Sequence, residues 1–185
     1  DYYLSVGHWV PYKRFDLAIQ VFNKLGRPLW IAGEGPEGPR LKKLAGRNIR
    51  FLQRVSDSEL RTLLSQCRAL VFPGEEDFGM IVPETHASGR PVIALARGGA
   101  LETVIPNVNG VFFQEETASE LEAAVLEFES IESRFNSYEI QSSAAEFNEE
   151  RFVHGIVAFI AEKWSQHRQQ FNFELRRSKQ FAPLE

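Results

Sequence analysis

Six short apolar runs alternate with longer amphipathic stretches along most of this chain. That alternation constrains the fold more than any other feature. Leu4-Ser5-Val6, Pro28 to Ala32, Ile49 to Leu52, Ala69 to Phe72, Pro91 to Leu95 and Gly110 to Phe113 are each short enough to be strands. Their apolar character suits strands buried on both faces. Between them lie helical patterns. Phe15, Ala18, Ile19, Phe22 and Leu25 form a stripe at helical spacing, closed by Gly26. Strand–helix alternation repeated six times predicts a doubly wound α/β domain. Its sheet is parallel and six-stranded, with helices on both faces and the Rossmann-like order 3-2-1-4-5-6.

Helix starts are marked by local chemistry. Ser56-Asp57-Ser58-Glu59 reads as a capping box, with Val55 and Leu60 placed as a hydrophobic staple, and predicts a helix to about Gln66. Thr117-Ala118-Ser119-Glu120 reads as a second box, ahead of the stripe Leu121, Ala124, Val125 and Phe128. A basic helix is expected over about Glu37 to Leu44, another helix around Tyr138 to Phe147, and a long one from near Glu149. The pattern weakens after Trp164, where Phe171, Phe173, Leu175 and Phe181 stand among charges. The domain is therefore read as residues 1–164 and the remainder, 165–185, as a tail that packs on a partner.

Composition excludes several function classes. The net charge of -4 gives no reason to expect nucleic-acid binding. The single cysteine, Cys67, rules out a disulfide framework, reads as a core residue and favours a reducing compartment. No apolar run approaches the roughly 20 residues of a membrane span, and no signal peptide is read. The chain begins without Met, almost directly at a strand, and is expected to be a piece of a longer protein. Basic residues gather at Arg40, Lys42, Lys43, Arg47, Arg50 and Arg54, a run that reads first as solvated helix faces and second as a face suited to an anionic ligand or to membrane headgroups. The expected location is the cytoplasm, with contact at the inner face of the membrane.

The polar groups that could carry chemistry fall at the carboxyl ends of the predicted strands, where open α/β sheets bind ligands. Strand 1 leads to His8, Lys13 and Arg14. Strand 2 leads to Gly33-Glu34-Gly35-Pro36, and strand 3 to Arg54-Val55-Ser56-Asp57. Strand 4 leads to Glu75-Glu76-Asp77-Phe78-Gly79-Met80 and then to Glu84, eight positions beyond Glu76. Strand 5 leads to Arg97-Gly98-Gly99. Amides at a helix start beside a carboxylate pair suit a ligand with both phosphates and hydroxyls.

These motifs, in this order, resemble the nucleotide-sugar-binding C-terminal half of retaining GT-B glycosyltransferases. The similar family is typified by sucrose synthase and phosphatidylinositol mannosyltransferase. The resemblance covers about residues 3 to 130. It rests on Val6-Gly7 with Pro11-Tyr12-Lys13, Ile31 to Pro36, Phe51 to Ser56, Glu76 with Glu84, and Gly98-Gly99 with Glu102. It implies a hexosyl transfer with retention, from a nucleoside diphosphate sugar to a glycan or lipid-linked acceptor. The acceptor would be held by an N-terminal domain outside this sequence, so the chain alone is expected to be inactive. The run Pro11-Tyr12-Lys13-Arg14 resembles bacterial mannosyltransferases of polysaccharide assembly, which suggests GDP-mannose as donor.

Carried over by position, the resemblance assigns Lys13 to the donor diphosphate and Glu76 to the transferred sugar, where it stabilises charge developing at the anomeric carbon. Glu84 would accept from ribose hydroxyls. Gly79 and Met80 would offer backbone N–H groups, Val55 and Asp57 would flank the base, and Phe78 would pack beside the sugar. Gly33 is counted with the donor contacts. At His8 the family pattern carries Arg. An imidazole is shorter and mostly neutral at pH 7. Either His8 holds phosphate more weakly, or Arg14 supplies the charge, or donor affinity is reduced. No Asp-x-Asp occurs, and His8, His86, His154 and His167 show no paired ligand spacing, so no metal or other cofactor is expected. A non-catalytic nucleotide-sugar-binding module is the alternative. A Rossmann dehydrogenase is disfavoured, because Gly7-His8-Trp9 stands where G-x-G-x-x-G would be needed.

Overall fold

The computed structural model describes the backbone of residues 1–180 and the side chains of residues 1–170. Six parallel strands form one sheet: β1 Tyr3–Val6, β2 Leu29–Ala32, β3 Ile49–Leu52, β4 Leu70–Phe72, β5 Val92–Leu95 and β6 Gly110–Phe113, in the order β3-β2-β1-β4-β5-β6. The expected fold class and strand order are both present. Register is simple. Tyr3 lies beside Leu29, Leu29 beside Ile49, Leu4 beside Leu70, Leu70 beside Val92, and Val92 beside Gly110. All strand carboxyl ends therefore emerge along one edge.

The helices are α1 Phe15–Leu25, α2 Gly38–Leu44, α3 Asp57–Gln66, α4 Ile81–Ala87, α5 Ala100–Thr103, α6 Ala118–Ile131, α7 Ser137–Ala144 and α8 Glu149–Gln180. The period-2 alternation of strand side chains sends neighbours to opposite faces. Tyr3, Ile31, Val71, Ile93, Val111 and Phe113 join Leu17, Phe22, Leu41 and Phe128 of α1, α2 and α6. Leu4, Leu70, Phe72, Val92 and Ala94 join Leu64, Val82 and Ala100 of α3, α4 and α5. Cys67 is fully buried, its Sγ donates to the Leu64 carbonyl at 3.3 Å, and burial pushes its thiol up to about 12, so it is a core residue.

The capping chemistry holds in one case and half holds in the other. Ser56 accepts from the Glu59 amide at 3.4 Å, and the Glu59 carboxylate accepts from the Ser56 amide at 2.8 Å. That box holds its carboxyl below the usual range. Thr117 likewise caps α6, accepting from the Glu120 amide at 3.3 Å. The reciprocal bond is absent, because the Thr117 amide donates instead to the Glu115 carbonyl at 2.6 Å.

Residues Asp1–Ala145 pack as one unit. A second unit begins at Glu146 and contains α8, which runs unbroken past Trp164 to Gln180. The expected packing of Phe171, Phe173, Leu175 and Phe181 lies outside the residues whose side chains are described. No helix among the described residues is long and apolar enough to cross a membrane.

Candidate functional site

Along the carboxyl edge, the β1–α1 loop and the β4–α4 loop face each other. The first contains a 3-10 turn, Pro11–Lys13, which aims Lys13 along the sheet edge. Its Nζ stands 2.9 Å from Glu76 Oε1, and the two side chains are 17% and 19% exposed. A partly desolvated pair of this kind is less screened than a surface pair. The structure thus brings together the two residues the sequence singles out as reactive. Glu76 lines a cleft of about 680 Å³ together with Tyr12, Arg14, Glu75, Asp77, Phe78 and Glu116, so both sequence neighbours of Lys13 face it.

Close backbone approach fixes this geometry. A Cβ on Gly99 would stand 2.3 Å from Phe78 Cα, and one on Gly98 would stand 2.3 Å from the Glu76 carbonyl oxygen. The Gly99 amide donates to that same carbonyl at 2.8 Å. The Gly98-Gly99 pair is therefore the seat of the Glu76 loop. Beneath Lys13, a Cβ on Gly74 would meet Tyr12 O at 2.4 Å and Lys13 Cα at 2.6 Å, so the turn after β4 supports the Lys13 backbone directly.

Farther along the edge, Glu84 projects from α4, and Asp57 opens α3. Partial burial raises the Glu84 carboxyl above its ordinary value, and the facing Asp57 carboxylate raises it further. Such a carboxylate pair is relieved by hydroxyl or amide donors from a ligand. No side chain caps the start of α4 at Met80; there the Val82 amide donates to the Gly79 carbonyl at 2.9 Å, the Glu84 amide to the Met80 carbonyl at 3.2 Å, and Pro83 carries no N–H. Met80 itself is exposed, Gly79 is buried, and Phe78 and Val55 are half-buried.

Arg14 is engaged by protein carboxylates. Its Nη1 donates to Glu116 Oε2 at 2.5 Å, and its Nε to Asp16 Oδ1 at 3.4 Å. His8 is exposed at the end of β1. Gly33, with φ 128°, lies against β1: a Cβ there would stand 2.0 Å from the Gly7 carbonyl oxygen, so glycine is required by packing alone. The β1–α1 loop is anchored by Trp9, 4% exposed, whose ring meets Phe51 edge-on at 5.4 Å and carries Lys42 at 5.8 Å.

Two contributors carry no motif of their own in the sequence. Trp9 is a single aromatic in the β1–α1 loop, outside any periodic pattern. Glu116 follows β6, whose carboxyl end lies on the same edge, so the edge rule that points to the other residues also reaches it.

A family model described as glycosyl transferases group 1 matches residues 1–151, and the chain belongs to that family. An uncharacterized glycosyltransferase of Methanocaldococcus jannaschii is 31% identical over 129 residues, 67% of this chain and 37% of that relative. A GDP-mannose-dependent alpha-mannosyltransferase of Corynebacterium glutamicum is 34% identical over 84 residues, 45% of this chain and 20% of that relative. The crystal structure of Anabaena HepE in complex with UDP shares the fold, with TM-score 0.70, 22% identity, and coverage of 90% of this chain and 49% of that one. The match thus spans well under half the length of these curated relatives.

Proposed function

We propose that this chain is the donor-binding half of a retaining hexosyltransferase that uses a nucleoside diphosphate sugar. The observation that carries this reading is the Lys13–Glu76 pair, 2.9 Å apart, whose Glu76 lines a cleft on the carboxyl edge of the sheet. Lys13 would exchange its carboxylate partner for the donor diphosphate. Glu76 would then be freed toward the sugar, where a carboxylate gains most as positive charge develops at the anomeric carbon. The bond from that carbon to the diphosphate oxygen breaks, its electron pair leaving with the diphosphate, and a bond to the acceptor oxygen forms as the acceptor hydroxyl's proton passes to the departing diphosphate.

Glu84 would accept from the ribose hydroxyls, with Val55 and Asp57 beside the base. The amides of Gly79 and Met80 would meet phosphate or sugar oxygens, and Phe78 would pack against the sugar. In this reading no metal is required, because Lys13 and the amides of Gly79 and Met80 offset the leaving charge. The acceptor, a glycan or lipid-linked sugar, would be bound by an N-terminal domain outside this sequence, at the cytoplasmic face of a membrane. GDP-mannose is the preferred donor in this proposal, supported by the relative from Corynebacterium glutamicum and by the Pro11-Tyr12-Lys13-Arg14 run.

A transfer assay on the intact enzyme tests the reading, with GDP-mannose, UDP-glucose, UDP-galactose and ADP-glucose offered against a mixed glycan and polyprenyl-linked acceptor set. Transfer from GDP-mannose with retained configuration is expected. Transfer from a UDP-sugar alone would overturn the donor assignment, and an inverted product would overturn the stereochemical one.

A further inference from the structure

We propose that Glu116 is a positioning residue which, through Arg14, fixes the loop that presents Lys13. The inference rests on the donor-site reading above. Arg14 links the 3-10 turn to α1 with φ 52° and ψ 36°, a left-handed conformation that an L side chain adopts reluctantly. Something must hold it there. Its side chain makes no capping hydrogen bond to α1. It reaches Glu116 instead, 102 positions away, at 2.5 Å. Both side chains are about a third exposed or less, 27% and 32%, so this charge-assisted bond is only partly screened. Asp16, at 3.4 Å and two positions away, is the weaker and purely local partner.

The neighbouring residue extends the connection. Glu115 accepts from Arg97 at 3.0 Å, at a more exposed site where an ion pair contributes little. Arg97 precedes the Gly98-Gly99 seat of the Glu76 loop. The β6–α6 loop thus reaches both flanks of the Lys13–Glu76 pair, strongly on the Lys13 side. Releasing Arg14 would let the turn relax from its strained conformation and shift Lys13. Misplacing a reacting group by about 1 Å can cost on the order of 100-fold in rate.

The substitution Glu116→Gln separates this role from the alternative in which Arg14 is itself a phosphate ligand, because the two predict opposite signs. A phosphate-binding Arg14 would be freed by the substitution, and the donor would bind more tightly. A positioning Glu116 predicts that kcat/KM of the intact enzyme for the donor falls about 10-fold and that donor binding weakens rather than tightens. It also predicts that amide hydrogen exchange at Lys13 and Arg14 rises about 10-fold, while Glu116→Asp recovers part of both losses. Tighter donor binding, or unchanged exchange at residues 13 and 14, would overturn the proposal. If the unaltered protein binds no nucleoside diphosphate, the donor-site reading fails, and the exchange rates still decide whether Glu116 holds the loop.

Discussion

Lys13 and Glu76 hold each other at 2.9 Å across the cleft edge, although 63 positions separate them in the sequence. Any anion that claims Lys13 must break or share this pair. Under the proposed function, donor binding would therefore be an exchange of partners rather than simple filling of a cleft.

The exchange predicts opposite effects of Glu76→Gln on binding and on turnover. Removing the carboxylate frees Lys13, so a nucleoside diphosphate without sugar should bind a few-fold more tightly. Turnover should fall by about 100-fold, as when a preorganised electrostatic group is lost. Calorimetric titration and initial-rate kinetics on the intact enzyme read the two arms. A weaker diphosphate affinity with unchanged kcat would contradict the partner-exchange account.

Glu84 should cost stability while serving binding. Its folded-state pKa is raised by partial burial and by Asp57, so the folded state holds its proton more tightly than the unfolded state. Stability from this group is therefore greatest at acidic pH and is lost as pH rises through the raised pKa. The substitution Glu84→Gln should raise Tm at pH 7, with the gain vanishing below about pH 4. The same substitution should weaken nucleotide binding about 10-fold. An unchanged nucleotide affinity would remove Glu84 from the ribose site.

His8→Arg should tighten donor binding. Arg14 is taken up by Glu116 and Asp16, so an arginine at position 8 would add a charge now missing from the exposed end of β1. A charge-assisted hydrogen bond is worth about 1.5–3 kcal/mol, or roughly 10- to 100-fold in affinity. Direct binding measurements with the donor check this, and no gain would show that His8 does not face the phosphates.

His86 predicts an acid-sensitive fold. It is fully buried, with Nε2 3.1 Å from the Asn109 carbonyl oxygen, and desolvation lowers its pKa to about 4. The unfolded chain binds this proton near pH 6.5, whereas the folded chain resists it until about pH 4. Stability contributed by the neutral ring is thus complete above about pH 6.5 and is lost as pH falls toward 4, about 3 kcal/mol in all. Urea unfolding at pH 7 and pH 4.5, for the unaltered protein and for His86→Gln, measures it. An equal pH dependence in both would assign the acid sensitivity elsewhere.

Local chemistry made much of the fold legible. The five buried strands and the half-buried edge strand β3 announce themselves by apolar runs, and the Ser56–Glu59 box needs only a four-residue window. The box at Thr117 forms only by half, because the Glu115 carbonyl competes for the Thr117 amide, a turn detail that composition does not encode. Within the site, the edge rule located Lys13, Glu76, Asp57 and Glu84. It could not say that Lys13 and Glu76 pair with each other, nor that Arg14 spends its charge on Glu116. Those pairings depend on how distant loops meet, and no periodicity in the sequence reports them.

Calorimetric titration of the intact protein with GDP, UDP and ADP, beside the Lys13→Ala variant, tests the central claim most directly. At least one nucleoside diphosphate should bind in the micromolar to low millimolar range, and Lys13→Ala should weaken that binding by about 10-fold or more. No binding of any of the three at millimolar concentration, or equal binding by the variant, would contradict a donor site built on Lys13 and Glu76.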